Sequence, residues 1–440
     1  MSALRFLVGA SLLLAQVFAD RHEVPLLPQS SESAPRPSFD TWCPAPLQTV
    51  FHLDLLWISE SKESKICPKE LKVDGDFSIG MPSYQRDCIK SGGSSSVYCL
   101  YVFSGFARGR GLAIIASPSV ASNVRSALSA LDPLHELERR DHFFEKALPG
   151  RGKGLISNYT FKKGDLILSS TPVFMIQERA MIDMNRADRL LLQRLSISAL
   201  PIRSRGRFYD LAGHFGGDQT EDILLTNGFS ATFGVSQESF GIVVPEAARL
   251  NHDCRPNARF AFDSRTFVHK VHATRTIEPG EELTFSYIDE KQIYAARQHH
   301  IKEHWGFDCQ CRLCSSPEQL RNISDTRLQR IAVLRKYLFL FTAENYRNVT
   351  PDMALELISL YEEEGLNGAL AEAYMVTALW YCIWGNVHRT KKYAALAVGN
   401  WLVWEAGGET NLEGMRNLTQ QVEGWFIPSS QRPPLWAHVT

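Results

Sequence analysis

The sequence predicts an α+β protein whose carboxyl-terminal region is helical. Two patterns support this prediction. Short β-like runs separated by turns recur between Val97 and Tyr287. From about Ser316 onward, apolar residues fall at helical spacing instead. A chain of 440 residues is long enough for two or three domains of this kind.

The overall composition is that of a globular protein. Hydrophobic residues make up 44% of the chain and charged residues 22%, which excludes a largely disordered chain, a collagen and a polytopic membrane protein. The 47 basic residues nearly balance the 48 acidic ones, and the net charge is -1. This balance gives no reason to expect direct binding of nucleic acid.

The amino terminus has the features of a signal peptide. Residues Met1–Ala19 contain one cation, Arg5, then an apolar run, and end in small residues where a signal peptidase cleaves. The run is too short for a transmembrane helix, and we expect no membrane span elsewhere in the sequence. We therefore expect cleavage before Asp20 and entry into the secretory pathway, or secretion. The alternative is a buried amino-terminal helix.

Two segments follow the signal peptide. Residues 20–40 are rich in Pro and Ser and predict a flexible linker. Residues 41–118 predict a small β-rich segment, with runs at Val97–Phe103 and Leu112–Ala116. In an exported protein the cysteines of this segment would form two disulfides, in any of three pairings; the alternative is unpaired thiols. These cysteines are Cys43, Cys67, Cys88 and Cys99.

The rest of the chain divides into a linker, a β-rich domain and a helical region. Residues 119–147 are polar and predict a helical linker. Residues 148–290 predict short strands that are interrupted by a helical insertion at Arg179–Leu195. Residues 317–440 predict helices that could pair antiparallel, as in a tetratricopeptide unit, although no regular repeat is present.

Three cysteines lie close together in a C-x-C-x-x-C triplet, at Cys309, Cys311 and Cys314. Core packing does not easily explain three adjacent thiols, whereas tetrahedral zinc needs four thiolate or imidazole ligands. A fourth ligand would come from elsewhere in the chain. The candidates are Cys254, Cys382 and nearby histidines such as His304. The alternative is a disulfide plus a free thiol.

Two polar motifs lie upstream of these cysteines. Residues Arg249–Asn257 place two amides, an imidazole and a thiol around a Pro turn, and such groups need backbone or ligand partners. Residues Gly280–Tyr287 follow with the sequence GEELTFSY. Neighbouring strand residues face opposite sides, so Glu281 and Glu282 are expected to be structural rather than an acid–base pair.

Together these motifs resemble the SET-domain protein lysine methyltransferases. NHDCRPN, GEELTFSY and the CQCRLC knuckle occur in the order and spacing of that family, and residues 148–167 are similar to its opening glycine-rich segment and first strand. The helical insertion and the helical carboxyl-terminal region are similar to the SMYD-like branch and to fungal SET-domain proteins. The MYND zinc finger of that branch is absent, because no cysteine lies between Cys99 and Cys254, and Asp253 replaces the commoner Ser.

The resemblance implies both a fold and a function. The fold is a SET domain, with small twisted β-sheets and a knot-like carboxyl-terminal half, followed by a zinc-bound post-SET knuckle at 291–316. The function is S-adenosylmethionine-dependent N-methylation of lysine in a histone or non-histone protein. A non-catalytic SET-like interaction module is the alternative, and a protein partner could bind the carboxyl-terminal helices. Most of the family acts in the nucleus or cytoplasm, which is the alternative to export.

The resemblance also implies roles for individual residues. Tyr287 matches the catalytic tyrosine, and Phe285 matches the position that controls how many methyl groups fit, where Phe favours more than one. The alternative for both is a structural role at the end of a core strand. The residues that match cofactor contacts are Arg151, Gly152, Lys153, Asn227, Asn251, His252, Tyr287 and Phe307. The residues that would hold one structural zinc are Cys254, Cys309, Cys311 and Cys314.

Other features have plainer interpretations. The string Arg108–Leu112 is similar to the glycine-rich segment, but it lacks the K-G-x-x-I strand that follows that segment in the family. A solvated helix face is expected for three histidines, namely His299, His300 and His304. Four Asn-x-Ser/Thr triplets would permit glycosylation of an exported chain, at Asn158, Asn322, Asn348 and Asn417. A zinc hydrolase is disfavoured because H-E-x-x-H and G-x-S-x-G are absent from the sequence.

We expect the native protein to lack Met1–Ala19 and to carry disulfides among the cysteines between Cys43 and Cys99. Mass spectrometry of the native protein, with and without reduction, measures both. An intact Met1 terminus together with four free thiols would contradict export and favour a nuclear or cytoplasmic protein.

Overall fold

The computed structural model describes residues 84–85, 88–90, 96–129, 142–233, 238–341, 345–404 and 409–420. The expected signal peptide, the 20–40 linker, Cys43 and Cys67 lie outside these residues. The described chain divides into two compact units. The larger unit contains the residues up to Ile288 and Ala295–Cys314, and the smaller unit contains Asp289–Tyr294 and the residues from Ser315 onward.

The larger unit is built on three β-sheets. Its strands are β1 Tyr84–Gln85, β2 Ile89–Lys90, β3 Val97–Phe103, β4 Leu112–Ala116, β5 Phe143–Leu148, β6 Gly152–Ser157, β7 Leu166–Ser170, β8 Phe174–Gln177, β9 Phe229–Phe233, β10 Glu238–Val243, β11 Asn251–His252, β12 Ala258–Asp263, β13 Val268–Ala273 and β14 Glu282–Phe285. The seven-stranded sheet has the order β1-β3-β4-β8-β10-β9, with β2 also paired to β3. The other two sheets have the orders β11-β14-β6-β5 and β12-β13-β7.

Four of the eight described helices of the larger unit lie between β8 and β9. The eight are Phe106–Gly109, Pro118–Ser129, Glu178–Asp183, Arg186–Ser198, Ile202–Tyr209, Gln219–Asn227, the 3-10 turn Ala247–Arg249, and Tyr294–Trp305, which begins in the smaller unit. The helical insertion predicted at Arg179–Leu195 is therefore present and continues to Asn227. Side-chain caps at Asn185 and Asp218 accept from backbone N–H groups and start two of its helices.

The amino-terminal strands belong to the same sheet as later parts of the chain. The runs predicted at Val97–Phe103 and Leu112–Ala116 are strands with those bounds, and a disulfide joins Cys88 to Cys99. Strand β4 pairs in parallel with β8, with Ala113 opposite Phe174. The boundary that the sequence suggested near residue 118 therefore does not separate a small module from the β-rich domain.

The predicted helical linker at 119–147 is only partly helical. The helix Pro118–Ser129 fits the prediction, but Phe143–Leu148 is strand β5, which pairs antiparallel with β6. Four of the six residues of β5 are exposed. An exposed edge strand needs no alternation of apolar and polar residues, so the sequence carried no strand signal there.

The smaller unit is helical, as predicted. Its helices are Glu318–Leu338, Asn345–Asn348, Pro351–Glu363, the 3-10 turn Asn367–Ala369, Leu370–Ile383, Val387–Trp404 and Glu409–Gln420. The helix Leu370–Ile383 forms the centre of its apolar core, and the Trp380 Nε1 donates to the Leu338 carbonyl at 2.8 Å. A short connection to the next helix favours an antiparallel pair. Among the helices that the structure describes, none combines the length and apolarity needed to span a bilayer.

A largely buried carboxylate binds side chains from three distant parts of the larger unit. Glu246 accepts from both terminal nitrogens of Arg110, contacts Arg207, and accepts from the Ser170 hydroxyl at 3.0 Å. Arg110 also donates to the Thr171 carbonyl at 3.0 Å. Burial alone would raise the pKa of Glu246, but the hydrogen bond and charge of Arg110 and the charge of Arg207 lower it to about 2.

Replacing Glu246 by Gln should lower the free energy of unfolding at neutral pH by about 3 kcal/mol, because the change leaves buried Arg110 without its counter-charge. The ordinary pKa of this carboxyl is 4.5, above its value in the fold. The stabilisation is therefore complete above about pH 5 and is lost as the pH falls toward 2. Urea unfolding at several pH values measures both effects. Glu303→Gln changes an exposed carboxylate and is the control; equal pH dependence in wild type and Glu246→Gln would contradict this role.

Candidate functional site

Two polar motifs distant in sequence meet through a short parallel ladder. Strand β11 pairs with β14, so that Asn251 lies opposite Thr284 and His252 lies opposite Phe285. The buried Asn257 holds the same two segments together, because its amide donates to the Glu282 carbonyl and accepts from the Thr284 N–H, both at 2.8 Å. The sequence motif NHDCRPN thus fixes the strand that carries GEELTFSY.

His252 holds the backbone just beyond β14. Its Nδ1 accepts from the Tyr287 N–H at 3.0 Å, and its Nε2 lies 3.3 Å from the Cys254 Sγ. Burial lowers the pKa of His252 to about 3. A neutral ring that accepts at Nδ1 carries its proton on Nε2. The imidazole therefore fixes the direction in which Tyr287 leaves the strand.

The phenol of Tyr287 is enclosed by other rings. Its hydroxyl donates to the Leu250 carbonyl at 3.1 Å. Its ring centroid lies 5.0 Å from that of Phe285 and 5.2 Å from that of Trp305. Burial raises the pKa of the Tyr287 phenol, so the group stays protonated at physiological pH and does not act as a base.

An aromatic cluster extends from Tyr287 into the β-sheets. We define it as Phe229, Phe260, Phe285 and Tyr287. The Phe285 ring is 5.6 Å from Phe229 and 5.5 Å from Phe260, and Phe229 and Phe260 are 5.0 Å apart. Phe229 and Phe260 are not among the site residues that the sequence predicts. Phe229 directly follows the Asn227-Gly228 pair, which was the one available signal, whereas Phe260 resembles any strand residue.

The glycine-rich hairpin between β5 and β6 lies beside β11. The Arg151 Nη2 donates to the His252 carbonyl at 3.0 Å and lies 3.3 Å from the Glu282 carboxylate. The Asn251 amide donates to Glu282 at 2.8 Å. A Cβ on Gly154 would lie 2.8 Å from both the Asn251 amide nitrogen and the Glu282 carboxylate, so a larger residue here would displace the side chains of this hydrogen bond.

Of the three other predicted cofactor residues, one lies near the paired strands and two bind other parts of the polypeptide. The Lys153 ammonium pairs with Asp210 at 2.8 Å. The Asn227 amide donates to the carbonyls of Ala212 at 2.7 Å and Ile223 at 2.9 Å. The Phe307 ring lies 6.5 Å from His252. Phe307 is therefore near the paired strands, whereas the side chains of Lys153 and Asn227 hold neighbouring polypeptide, and their contact with a cofactor stays a prediction.

The similar string Arg108–Leu112 is structural. Its Arg110 binds Glu246, and a Cβ on Gly111 would lie 2.5 Å from the Pro201 ring. The pair of glutamates is structural as well, since Glu282 holds Asn251 and Glu281 pairs with Arg275 at 2.7 Å. The expected solvated face is correct for His299, which is exposed and lies 3.4 Å from Glu303. It is wrong for His300 and His304, which are half-buried and contact each other and Trp305.

Four buried thiols come together beside His252. The Sγ atoms of Cys254, Cys309, Cys311 and Cys314 all lie within 4.8 Å of one another and could hold a metal ion. The Cys254 Sγ is 3.8 Å from that of Cys309 and 3.6 Å from that of Cys314. Hydrogen bonds from Cys254, Cys309 and Cys314 lower the pKa of Cys311, which favours a thiolate. The other candidate thiol, Cys382, lies in the apolar core of the smaller unit.

Comparison with known proteins identifies the domain. Residues 152–288 match the family model of the SET domain. The chain is 28% identical over 255 residues to histone-lysine N-methyltransferase set5 of Schizosaccharomyces pombe, covering 56% of this chain and 74% of that protein. It is 30% identical over 104 residues to histone-lysine N-methyltransferase SMYD1 of Homo sapiens, covering 21% of each chain. The solved SET domain of LSMT bound to lysine and AdoHcy aligns with 70% of this chain and 91% of that chain, at 11% identity and a TM-score of 0.26.

Proposed function

We propose that this SET-domain protein transfers methyl groups from S-adenosylmethionine to lysine side chains of a protein substrate. The observation that carries this function is the enclosed phenol of Tyr287. It belongs to the aromatic cluster, and the Asn251–His252 strand fixes its backbone. A lysine side chain has an apolar stem and one polar end, which matches an aromatic lining with a hydroxyl.

The residues that would hold the cofactor lie around the paired strands β11 and β14. They are Arg151, Gly152, Asn251, His252 and Phe307. Gly152 has a φ of 68°, and no heavy atom lies within 4 Å of the place where its Cβ would be. The backbone is therefore open to close approach by a ligand at this point. S-adenosylmethionine, when bound, supplies a methyl group on an electrophilic sulfonium sulfur.

The protein has to present lysine as a neutral amine, because the free ammonium has a pKa of about 10.4 and no lone pair. The apolar rings of Phe229, Phe260 and Phe285 exclude water, and desolvation favours the neutral form of an amine. The Tyr287 proton is engaged on the Leu250 carbonyl, so the phenol oxygen can accept a hydrogen bond from the amine. Such a bond orients the nitrogen lone pair for attack.

The substrate is a protein, and histones are the first class to test. The two relatives above are named as histone-lysine methyltransferases. The net charge of -1 supplies no separate attraction for basic histone tails. Non-histone proteins therefore belong in the same assay.

We also propose that the four thiols hold one structural zinc ion. Zinc–sulfur bonds of about 2.3 Å in a tetrahedron place the sulfurs about 3.8 Å apart, close to the distances from Cys254 to Cys309 and Cys314. Four thiolates leave no open position on the metal. The ion would join the 309–314 knuckle to the strand that carries His252.

Replacing Cys254 by Ser should remove the zinc, because serine is a poor zinc ligand and three sulfurs remain. Metal analysis of purified protein should then give well below one zinc per chain. Binding of S-adenosylmethionine should weaken too, because Phe307 lies beside the knuckle. The matched control is Cys382→Ser, a buried thiol of the smaller unit, which should retain one zinc per chain. Full zinc retention in Cys254→Ser would remove Cys254 from the ligand set.

Replacing Tyr287 by Phe should lower methyl transfer roughly 10²-fold, because one contact that orients the transition state is lost. The affinity of Tyr287→Phe for S-adenosylmethionine should be nearly unchanged. Asn251→Ala should instead weaken cofactor binding roughly 10-fold or more, since a buried polar edge loses its partner. Radiolabelled methyl transfer to histones and to cell-extract proteins measures the first effect, and calorimetry measures the second.

The control for the tyrosine change is Tyr209→Phe, which removes a phenol at the protein surface. Equal turnover of Tyr287→Phe and wild type would show that Tyr287 is not catalytic. A wild-type protein that binds no S-adenosylmethionine would favour the non-catalytic interaction module.

A further inference from the structure

One buried side chain of the larger unit has no part in the chemistry described so far. His269 lies in the middle strand of the sheet β12-β13-β7, opposite Phe262 on one side and Ser170 on the other. It is completely buried. Neither of its ring nitrogens has a hydrogen-bond partner among the described residues.

The rings around His269 are those of the aromatic cluster. The imidazole stacks on Phe260, with the two centroids 4.8 Å apart and the planes at 24°. It lies at the same distance of 4.8 Å from Phe229. Phe229 and Phe260 in turn contact Phe285, which contacts Tyr287. His269 therefore adds a polar group to an apolar set of rings.

An imidazole in this position is costly without a ligand. A buried donor or acceptor that lacks a partner loses its hydrogen bonds to water and gains none in exchange. Phenylalanine would fill nearly the same space without that cost. The polar atoms of His269 are thus unexplained by packing, and the imidazole ring lies against Phe229 and Phe260, two of the rings that would surround a lysine side chain.

We propose that His269 is a specificity-determining residue, whose imidazole accepts a hydrogen bond from the ε-amine of the target lysine and so limits the number of methyl groups added. This inference rests on the proposed lysine methyltransferase function. Burial lowers the pKa of His269 to about 3, so the ring is neutral at physiological pH and able to accept. With so low a pKa it does not retain a proton from the amine.

The consequence for product specificity follows from counting N–H groups. A neutral unmethylated amine has two N–H groups and a monomethylated amine has one, so both can bind the imidazole. A dimethylated amine has no N–H, and its binding would leave His269 unpaired in an apolar site. The wild-type enzyme should therefore stop at one or two methyl groups, even if Phe285 leaves room for more, as the resemblance implies.

The test compares His269→Phe with wild type on synthetic peptides. The peptides span a lysine that the wild type labels and carry zero, one or two methyl groups there. His269→Phe should raise the kcat/KM ratio of dimethylated to unmethylated peptide roughly 5-fold or more, the effect of one hydrogen bond. Mass spectrometry should show trimethyl-lysine. His269→Gln keeps a hydrogen-bond acceptor, so its peptide ratio should be closer to that of wild type. His272→Phe is the control, because it makes the same change elsewhere on the strand and should leave the ratio unchanged.

Four results would count against the inference in different ways. An unchanged peptide ratio in an active His269→Phe enzyme would overturn it and leave the methyltransferase function intact. The same ratio change in His272→Phe would assign the effect to the strand rather than to His269. A large fall in melting temperature in both His269→Phe and His269→Gln would show a structural role, because loss of an unpaired polar group should not destabilise the protein. If the wild type neither binds S-adenosylmethionine nor labels any protein, the proposed function itself fails and this inference fails with it.

Discussion

The parallel pairing of β11 with β14 is the constraint on which the rest of the site depends. The ladder has only two residues on the β11 side, too few to be stable alone. Side-chain hydrogen bonds supply the additional stability that so short a ladder needs. Asn257 binds both segments, and His252 binds the backbone at Tyr287. The position of the phenol, the approach of the glycine hairpin and the proximity of the cysteines all follow from this short contact.

The site separates neutral groups from charged ones. Its interior contains a neutral imidazole at His252, a neutral imidazole at His269 and a protonated phenol at Tyr287, because burial disfavours the charged form of each. The charges lie at the edge, where Arg151 meets Glu282. An uncharged interior suits a reaction in which an amine has to lose its charge before it attacks. The same principle explains why no carboxylate pair is needed for proton transfer.

Local patterns in the sequence predicted much of the fold. The strands at Val97–Phe103 and Leu112–Ala116 and the helical carboxyl-terminal region follow from runs of apolar residues. Ligand number predicted only that the CQCRLC triplet needs a fourth partner, and the resemblance to the SET family selected Cys254. What the sequence could not show depends on distant partners. Arg110 is a buried anchor only because the distant Glu246, which also accepts from Ser170 of β7, binds its guanidinium. Nothing in the local sequence distinguishes His269 from other strand histidines, because its neighbours Phe229 and Phe260 come from other strands.

The segment that matches the SET-domain family is shorter than the compact unit that contains it. The SET-domain match covers 152–288, yet β8, inside that range, has β4 as its parallel neighbour from outside it. Parallel strands cannot be joined by a tight turn, so a long stretch of chain separates β4 from β8. At a synthesis rate of about 5–20 residues per second, β8 leaves the ribosome several seconds after β4. Until β8 emerges, the hairpin of β3 and β4 exposes an apolar edge. The segment that matches the family is therefore smaller than the compact unit to which it belongs, and a chain cut at the boundaries of the match would lack the parallel partner of β8.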